Sequence, residues 1–263
     1  MNKNNMVKRR KEIVELLAQN RSLKVTDLVD RFGVSAVTIR NDLIYLENNM
    51  LCKRSFGKVM SYDRAKTPAL QKAEMPAQLI YKEVIGKYAA SLIQPGDSVF
   101  FYAGSTVEQV VKYLNPKTEF IALTNSIFIA NELRSFTKVH PILLGGLLSR
   151  NMGFTYGDEA IRQLKGYNVD KLFLSVDGID ARTGITNASP FEGDINRAVI
   201  SCANQVVIVA DHTKVGNSSF VRMGSAADVD ILITDPEADN GAVEQLKKTG
   251  VDVRIVGAET LER

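Results

Sequence analysis

Cysteine, histidine and long apolar runs are scarce in this 263-residue chain. Its two cysteines, Cys52 and Cys202, lie far apart in mixed or apolar surroundings. They read as reduced thiols of a cytoplasmic protein and exclude a disulfide framework. Two histidines, His140 and His212, are too few for a His-rich site, and no cluster has zinc spacing, so no metal or cofactor is expected. No apolar run approaches the roughly 20 residues that span a bilayer. The opening segment, MNKNNMVKRRK, lacks the apolar stretch of a secretory signal. No membrane association follows from either. Low-complexity tracts are missing too. What remains is the composition of an ordinary globular protein, 45% hydrophobic and 24% charged. The length suits one large domain or two unequal ones.

The net charge of +3 hides an asymmetry. Residues 1–60 hold 12 Lys/Arg against 6 Asp/Glu, and the rest hold 21 against 24. A cationic head on a slightly acidic body suits a polyanion partner. A solvated basic tail is the plainer reading, but the basic residues coincide with helix signals.

Those signals are clearest in FGVSAVTIRNDLIYLENNML, residues 32–51. Ser35 is a good N-cap, since its hydroxyl can accept from an unpaired N–H of the first turn. Val34 and Ile39 stand at staple spacing around it. Ile39, Leu43 and Leu46 recur at i, i+4, i+7 and predict one buried stripe. The other face presents Ala36, Val37, Thr38, Arg40, Asn41 and Ile44. Short side chains at the N-terminus, then one Arg and one Asn facing outward, suit the floor of a DNA major groove. A helix near 7–20, led in by Lys-Arg-Arg-Lys at 8–11, precedes it, and a second near 26–32 ends at Gly33. Residues 51–62 alternate around Gly57 as a short hairpin does. Three helices and a hairpin make a winged helix-turn-helix. Lys53, Arg54, Lys58 and the 8–11 cluster are its expected phosphate contacts.

Residues 61–76 are polar, hold Pro68 and Pro76, and read as a linker between a head at 1–60 and a body at 77–263. After a helix near 77–93, apolar strands are predicted at 98–102, 119–124, 139–144, 171–176, 205–210, 229–234 and 251–256. Helical stretches separate most of them. That alternation argues for an α/β body with a mainly parallel sheet covered on both faces. In such sheets ligands bind at the carboxyl ends of strands. There the sequence places Gly104-Ser105-Thr106 before a helix, which reads either as a phosphate cradle or as a tight turn with an ordinary cap. Thr124-Asn125, Gly145-Gly146, Asp177 with Asp180, and Lys214 end the following strands. Polar or glycine termini on successive strands point to one shared pocket.

The head, through VTDLVDRFGVSAVTIRNDLIYLE and KRSFGK, resembles the DNA-binding domain of DeoR-family bacterial transcriptional regulators. Family members usually carry two Arg before the Asp and two Gly in the wing; here stand Arg40-Asn41-Asp42 and Gly57-Lys58. Asn41 offers an adenine contact and Asp42 a structural bond within the head. The body resembles the family's sensor domain, whose fold is related to ribose-5-phosphate isomerase and glucosamine-6-phosphate deaminase. That resemblance implies a phosphorylated sugar or related metabolite as effector. Gly104, Ser105 and Thr106 would cradle its phosphate, and Thr124 and Asn125 would line the pocket. Gly145 and Gly146 would admit the ligand to the backbone. Asp177 and Asp180 would face sugar hydroxyls, and Lys214 would meet phosphate or a sugar oxygen. Glu192 and Arg197 stand where the related enzymes keep an acid and a basic helix start. Two places depart from the family. Tyr102 replaces the usual Asp two residues before Gly104 and offers a ring and a hydroxyl instead. His212-Thr213-Lys214 replaces Ser-Ser-Lys, and His212 reads as a ligand contact or as an ordinary loop residue.

The function implied is a repressor of a carbohydrate-utilisation operon, a homodimer or homotetramer on double-stranded operator DNA, released by the phosphorylated effector. The competing reading is a phosphosugar isomerase or deaminase with an appended head, using Asp177 and Glu192 for acid–base work. A DNA-packaging role fails on the acidic body.

Overall fold

The computed structural model describes residues 3–20, 22–48, 52–55, 57–60, 76–150, 152–189 and 193–257. It divides into two compact units, Met1–Tyr81 and Lys82–Arg263. The expected linker falls almost wholly outside the described residues, as does Glu192.

In the first unit, α1 (Lys3–Asn20) is followed by β1 (Ser22–Lys24), α2 (Val25–Phe32), α3 (Ala36–Asn48), β2 (Lys53–Ser55) and β3 (Lys58–Met60). Helix α2 has Asp27 in its first turn and Arg31 in its last, both favourable to the helix dipole. It stops at Gly33, whose φ of 58° lets its N–H return to the Val29 carbonyl. Ser35 Oγ then accepts from the Thr38 N–H at 3.1 Å and starts α3. Ile39, Leu43 and Leu46 bury completely against Ile13, Leu17 and Leu28. The wing gains a third strand: β1 pairs with β3, giving the order β1-β3-β2. Three residues are too few to show alternation, so this strand was invisible in the sequence.

The second unit begins within α4 (Pro76–Ala90). Then come β4 (Ser98–Phe101), α5 (Ser105–Lys112), β5 (Phe120–Thr124), α6 (Ile127–Leu133), β6 (Val139–Leu143), β7 (Leu147–Leu148), β8 (Thr155–Tyr156) and α7 (Asp158–Leu164). They are followed by β9 (Val169–Leu174), β10 (Gly178–Asp180), β11 (Gly184–Asn187), α8 (Gly193–Ser201), β12 (Ala203–Val209), β13 (Val221–Gly224), β14 (Ile231–Thr234), α9 (Asn240–Lys248) and β15 (Asp252–Ile255). All seven expected strands pair in one parallel sheet of order β15-β14-β12-β9-β4-β5-β6. Alternate residues of each strand serve opposite faces. Phe100, Leu172 and Ile208 join a core with α7, α8 and α9, while Phe101, Phe173 and Val207 join one with α4, α5 and α6. Pro141 lies on β6, an edge strand, where a missing N–H costs least. Two small antiparallel sheets, β10-β11-β13 and β7-β8, are additions that the sequence pattern did not show.

Among the described residues no helix is long and apolar enough to cross a membrane. Both cysteines are free and buried. Burial pushes the Cys52 thiol up to about 12 and the Cys202 thiol up to about 11, so neither is poised as a nucleophile.

Candidate functional site

Helix α3 presents Val37, Arg40 and Asn41 to solvent, Val37 with 63% of its surface exposed. Arg40 and Asn41 make no side-chain bond among the described residues, and neither do Lys53 and Lys58 in the wing. Ser35 and Thr38 share a hydroxyl–hydroxyl bond of 2.9 Å at the exposed helix start. Arg54 pairs with Glu47 at 2.6 Å, and its backbone N–H and guanidinium hold the Glu47 carboxyl below the usual range.

The 8–11 cluster needs correction as a set of phosphate contacts. Arg9 is buried and donates to Asp42 Oδ2 at 2.6 Å; Arg10 donates to Asp42 Oδ1 at 2.8 Å. The Arg10 guanidinium also lies 3.8 Å from the centre of the Tyr45 ring. Two of the four cations are therefore spent inside the fold, tying α1 to α3 through a carboxylate that is 2% exposed. A helix-leading run of cations gives no sign of which members face inward; the signal lay in Asp42, a lone acid on the buried side of α3.

In the second unit, the strand ends do converge. Gly104 precedes α5, and a Cβ there would come within 2.5 Å of the Ser175 Cβ, just past β9. Only glycine lets the β4 loop lie this close to its neighbour. Ser105 Oγ accepts from Lys82 Nζ at 3.0 Å. Lys82 is only 4% exposed and stands 4.0 Å from Asp211 Oδ2, which itself makes no hydrogen bond. At that separation the pair is an ion pair without a hydrogen bond. Asp211 Oδ1 is taken by the Thr213 N–H and hydroxyl. Ser175 Oγ, beyond β9, and Thr234 Oγ1, at the end of β14, are also buried with no partner. These orphans sit at the carboxyl ends of adjacent strands. Buried polar atoms are nearly always paired, so such a row marks a place where a polar ligand fits. The sequence missed Lys82, Ser175 and Thr234. The available hint was one lysine among the apolar positions of α4.

Several expected contacts turn out to be scaffold. Thr124 is fully buried; its hydroxyl donates to the Phe101 carbonyl at 2.7 Å and accepts from the Ser126 N–H. Asn125, also fully buried, accepts from the Ala103 N–H at 2.9 Å and donates to the Thr155 carbonyl. Both hold the loop before Gly104 instead of lining a pocket. The Gly145 N–H donates to the Gln163 side chain, and Gly146 is tight because the Tyr156 carbonyl would lie 2.6 Å from a Cβ. Tyr102 is 2% exposed and packs in the core beside Phe100, so no ring is offered for stacking. The Asp180 carboxylate closes its own turn, accepting from the N–H groups of Thr183, first of all, and Arg182, which hold its pKa below the ordinary value.

Others keep surface. Asp177 is exposed, though its Oδ2 accepts from the Ala188 N–H. Lys214 is half-buried, with no bond from its ammonium among the described residues. Thr106 is buried at the start of α5. His212 is held by the fully buried Asp235, its Nδ1 3.0 Å from Oδ1 and its backbone N–H 2.7 Å from Oδ2. A separate cavity of about 340 Å³ opens over β11 and β13, lined by Arg182, Thr186, Phe220 and Arg222 among others; none of the expected contacts lines it.

The DeoR-like helix-turn-helix domain matches residues 9–65, and the DeoR C-terminal sensor domain matches residues 78–236. The chain belongs to the DeoR family. This DeoR-family regulator is 34% identical over 252 residues to a putative aga operon transcriptional repressor of Escherichia coli O157:H7, covering 95% of this chain and 93% of that one. It is 33% identical to the HTH-type transcriptional repressor GlcR of Bacillus subtilis, covering 92% and 93%. Ribose 5-phosphate isomerase A of Methanocaldococcus jannaschii is similar at 17% identity and a TM-score of 0.38, over 52% of this chain and 53% of that one. With repressors as full-length relatives, the protein is a DNA-binding transcriptional regulator and not an enzyme.

Proposed function

We propose that this DeoR-family protein represses a carbohydrate-utilisation operon from the cytoplasm. It holds a paired operator as a homodimer or homotetramer and releases it when a phosphorylated sugar or related metabolite binds the sensor. The buried Lys82, bonded to Ser105 at the start of α5, is the observation that carries the effector reading. A lysine is withdrawn from water at high cost unless anionic charge compensates it. Here Asp211 Oδ2, which makes no hydrogen bond of its own, stands 4.0 Å from the ammonium at the same strand ends as the unbonded Ser175 and Thr234 hydroxyls. Phosphate oxygens are received at Gly104, Ser105 and Thr106 beside this lysine, assisted by Lys214. Asp177 faces the sugar, and Asp180 acts behind it by shaping the turn. Ser35, Val37, Thr38, Arg40 and Asn41 read the major groove, while Lys53, Arg54 and Lys58 grip phosphates.

The effector shifts the operator equilibrium only by its differential affinity for the two states, about 1.4 kcal/mol for each tenfold. Titrating full-length protein on its operator with a panel of sugar phosphates tests this. One of them releases the DNA from the parent protein, and Lys214→Ala blocks the release without weakening operator binding in its absence. Release that is unchanged in Lys214→Ala removes that residue from the site.

Arg40→Ala lowers operator affinity by about 1–3 kcal/mol, the worth of a good base contact, with unchanged thermal stability because the side chain is exposed and unpaired. Fluorescence anisotropy on operator DNA measures it at one fixed salt concentration, since phosphate contacts make affinity strongly salt-dependent. Equal affinity of the two proteins excludes Arg40 from base reading.

A further inference from the structure

Asn196 is fully buried, and neither its Oδ1 nor its Nδ2 has a hydrogen-bond partner. An amide with both ends unsatisfied is among the most destabilising things a core can hold, because donor and acceptor each lose water and gain nothing. The topology says where it stands. Helix α8 is the crossover from β9 to β12, two adjacent parallel strands, so it starts at their carboxyl ends. Asn196 is the fourth residue of that nine-residue helix. It therefore lies at the same edge of the sheet as Ser175 Oγ and Asp211 Oδ2, buried oxygens that also lack hydrogen bonds.

We infer that Asn196 is a specificity-determining residue of the sensor, bonding an uncharged hydroxyl-bearing part of the effector beyond its phosphate. This rests on the reading of the sensor as a phosphosugar site. The chemistry narrows the group bound. Oδ1 is acceptor only and Nδ2 donor only. A sugar or polyol hydroxyl both donates and accepts, and so satisfies either end. A phosphate or carboxylate oxygen can accept from Nδ2 but brings no donor for Oδ1, and so satisfies one end only. Ser175 Oγ supplies a further hydroxyl partner at the end of β9. The anionic end of the effector belongs to Lys82 and Ser105, the neutral end to Asn196.

Asn196→Leu separates this from a structural role. Leucine is close in volume and removes both unsatisfied atoms. A residue kept for the fold loses stability on this change; a residue kept for a ligand gains it. Thermal unfolding of the full chain is followed with inorganic phosphate, glucose 6-phosphate, galactosamine 6-phosphate and glycerol 3-phosphate as probes. In the parent, inorganic phosphate raises the Tm, and at least one of the organic phosphates raises it further. In Asn196→Leu the Tm without additive is equal to or above the parent's. The inorganic phosphate shift is kept, and the extra shift falls away, a loss of tenfold or more in affinity. Asn196→Ser, which retains a hydroxyl, recovers part of it. The inference is overturned if no organic phosphate exceeds inorganic phosphate, if Asn196→Leu keeps the extra shift, or if it lowers the Tm while Asn196→Ser keeps the full response. Failure of every probe, inorganic phosphate included, sinks the phosphosugar reading itself.

Discussion

Asp42→Ala is expected to unfold the DNA-binding head at physiological temperature. The carboxylate is 2% exposed and is the shared partner of Arg9, itself 6% exposed, and of Arg10. Removing it leaves two largely desolvated guanidinium groups of α1 without the α3 carboxylate that they share. Breaking a buried pair in this way costs about 3–5 kcal/mol. That is most of the stability available to a head whose core, among the described residues, is nine buried apolar side chains. Hydrogen exchange on the full chain would show α1, α2 and α3 losing protection while the parallel sheet keeps its own, and operator binding would vanish with them. Arg9→Met and Arg10→Leu combined with Asp42→Leu should restore much of the loss, since well-packed apolar residues commonly replace a buried ionic group without penalty when no member is left unpaired. Retained protection in Asp42→Ala would show that the apolar stripe alone holds the head together.

Gly104→Ala is the second large effect. The added methyl meets the Ser175 Cβ at 2.5 Å and its Oγ at 2.7 Å. A Cβ cannot swing aside as a side-chain tip can, so β4 and β9 must separate at their carboxyl ends. Overpacking of this kind costs about 1–3 kcal/mol. The displacement falls on the loop that carries Ser105, so effector response is expected to disappear even where the fold survives. Adding Ser175→Gly removes the clash and should recover the lost Tm. Recovery of stability without any prior loss of response in Gly104→Ala would show that the loop position does not matter to the ligand.

These two residues illustrate different degrees of legibility. Gly104 was visible as a glycine between a strand and a helix. The close approach is to Ser175, a neighbour about seventy positions along the chain that no local pattern could name. Asp42 was visible as an acid on an otherwise apolar face, but its partners in α1 were read as DNA contacts. Charge runs look the same whether they point to solvent or to a buried carboxylate. Thr124, Asn125 and Gly146 are a third kind. Polar and glycine residues at strand ends satisfy buried backbone as often as they meet ligands, and only the hydrogen bonds tell which. Lys82 and Asn196 went unread because each lies inside a helix, outside any loop motif.

By itself the sequence determined the two-part plan, the capped recognition helix with its Ile39–Leu43–Leu46 stripe, and the seven parallel strands. These follow from local periodicity and capping, which depend on residues a few positions apart. The tertiary structure alone decided which cations are spent on Asp42, which strand-end residues are scaffold, and which buried oxygens and amides are left unbonded at the sheet's carboxyl edge. Those outcomes depend on residues far apart in the chain, as Lys82 and Asp211 are, set by burial and by who stands opposite, and a linear pattern does not carry that information.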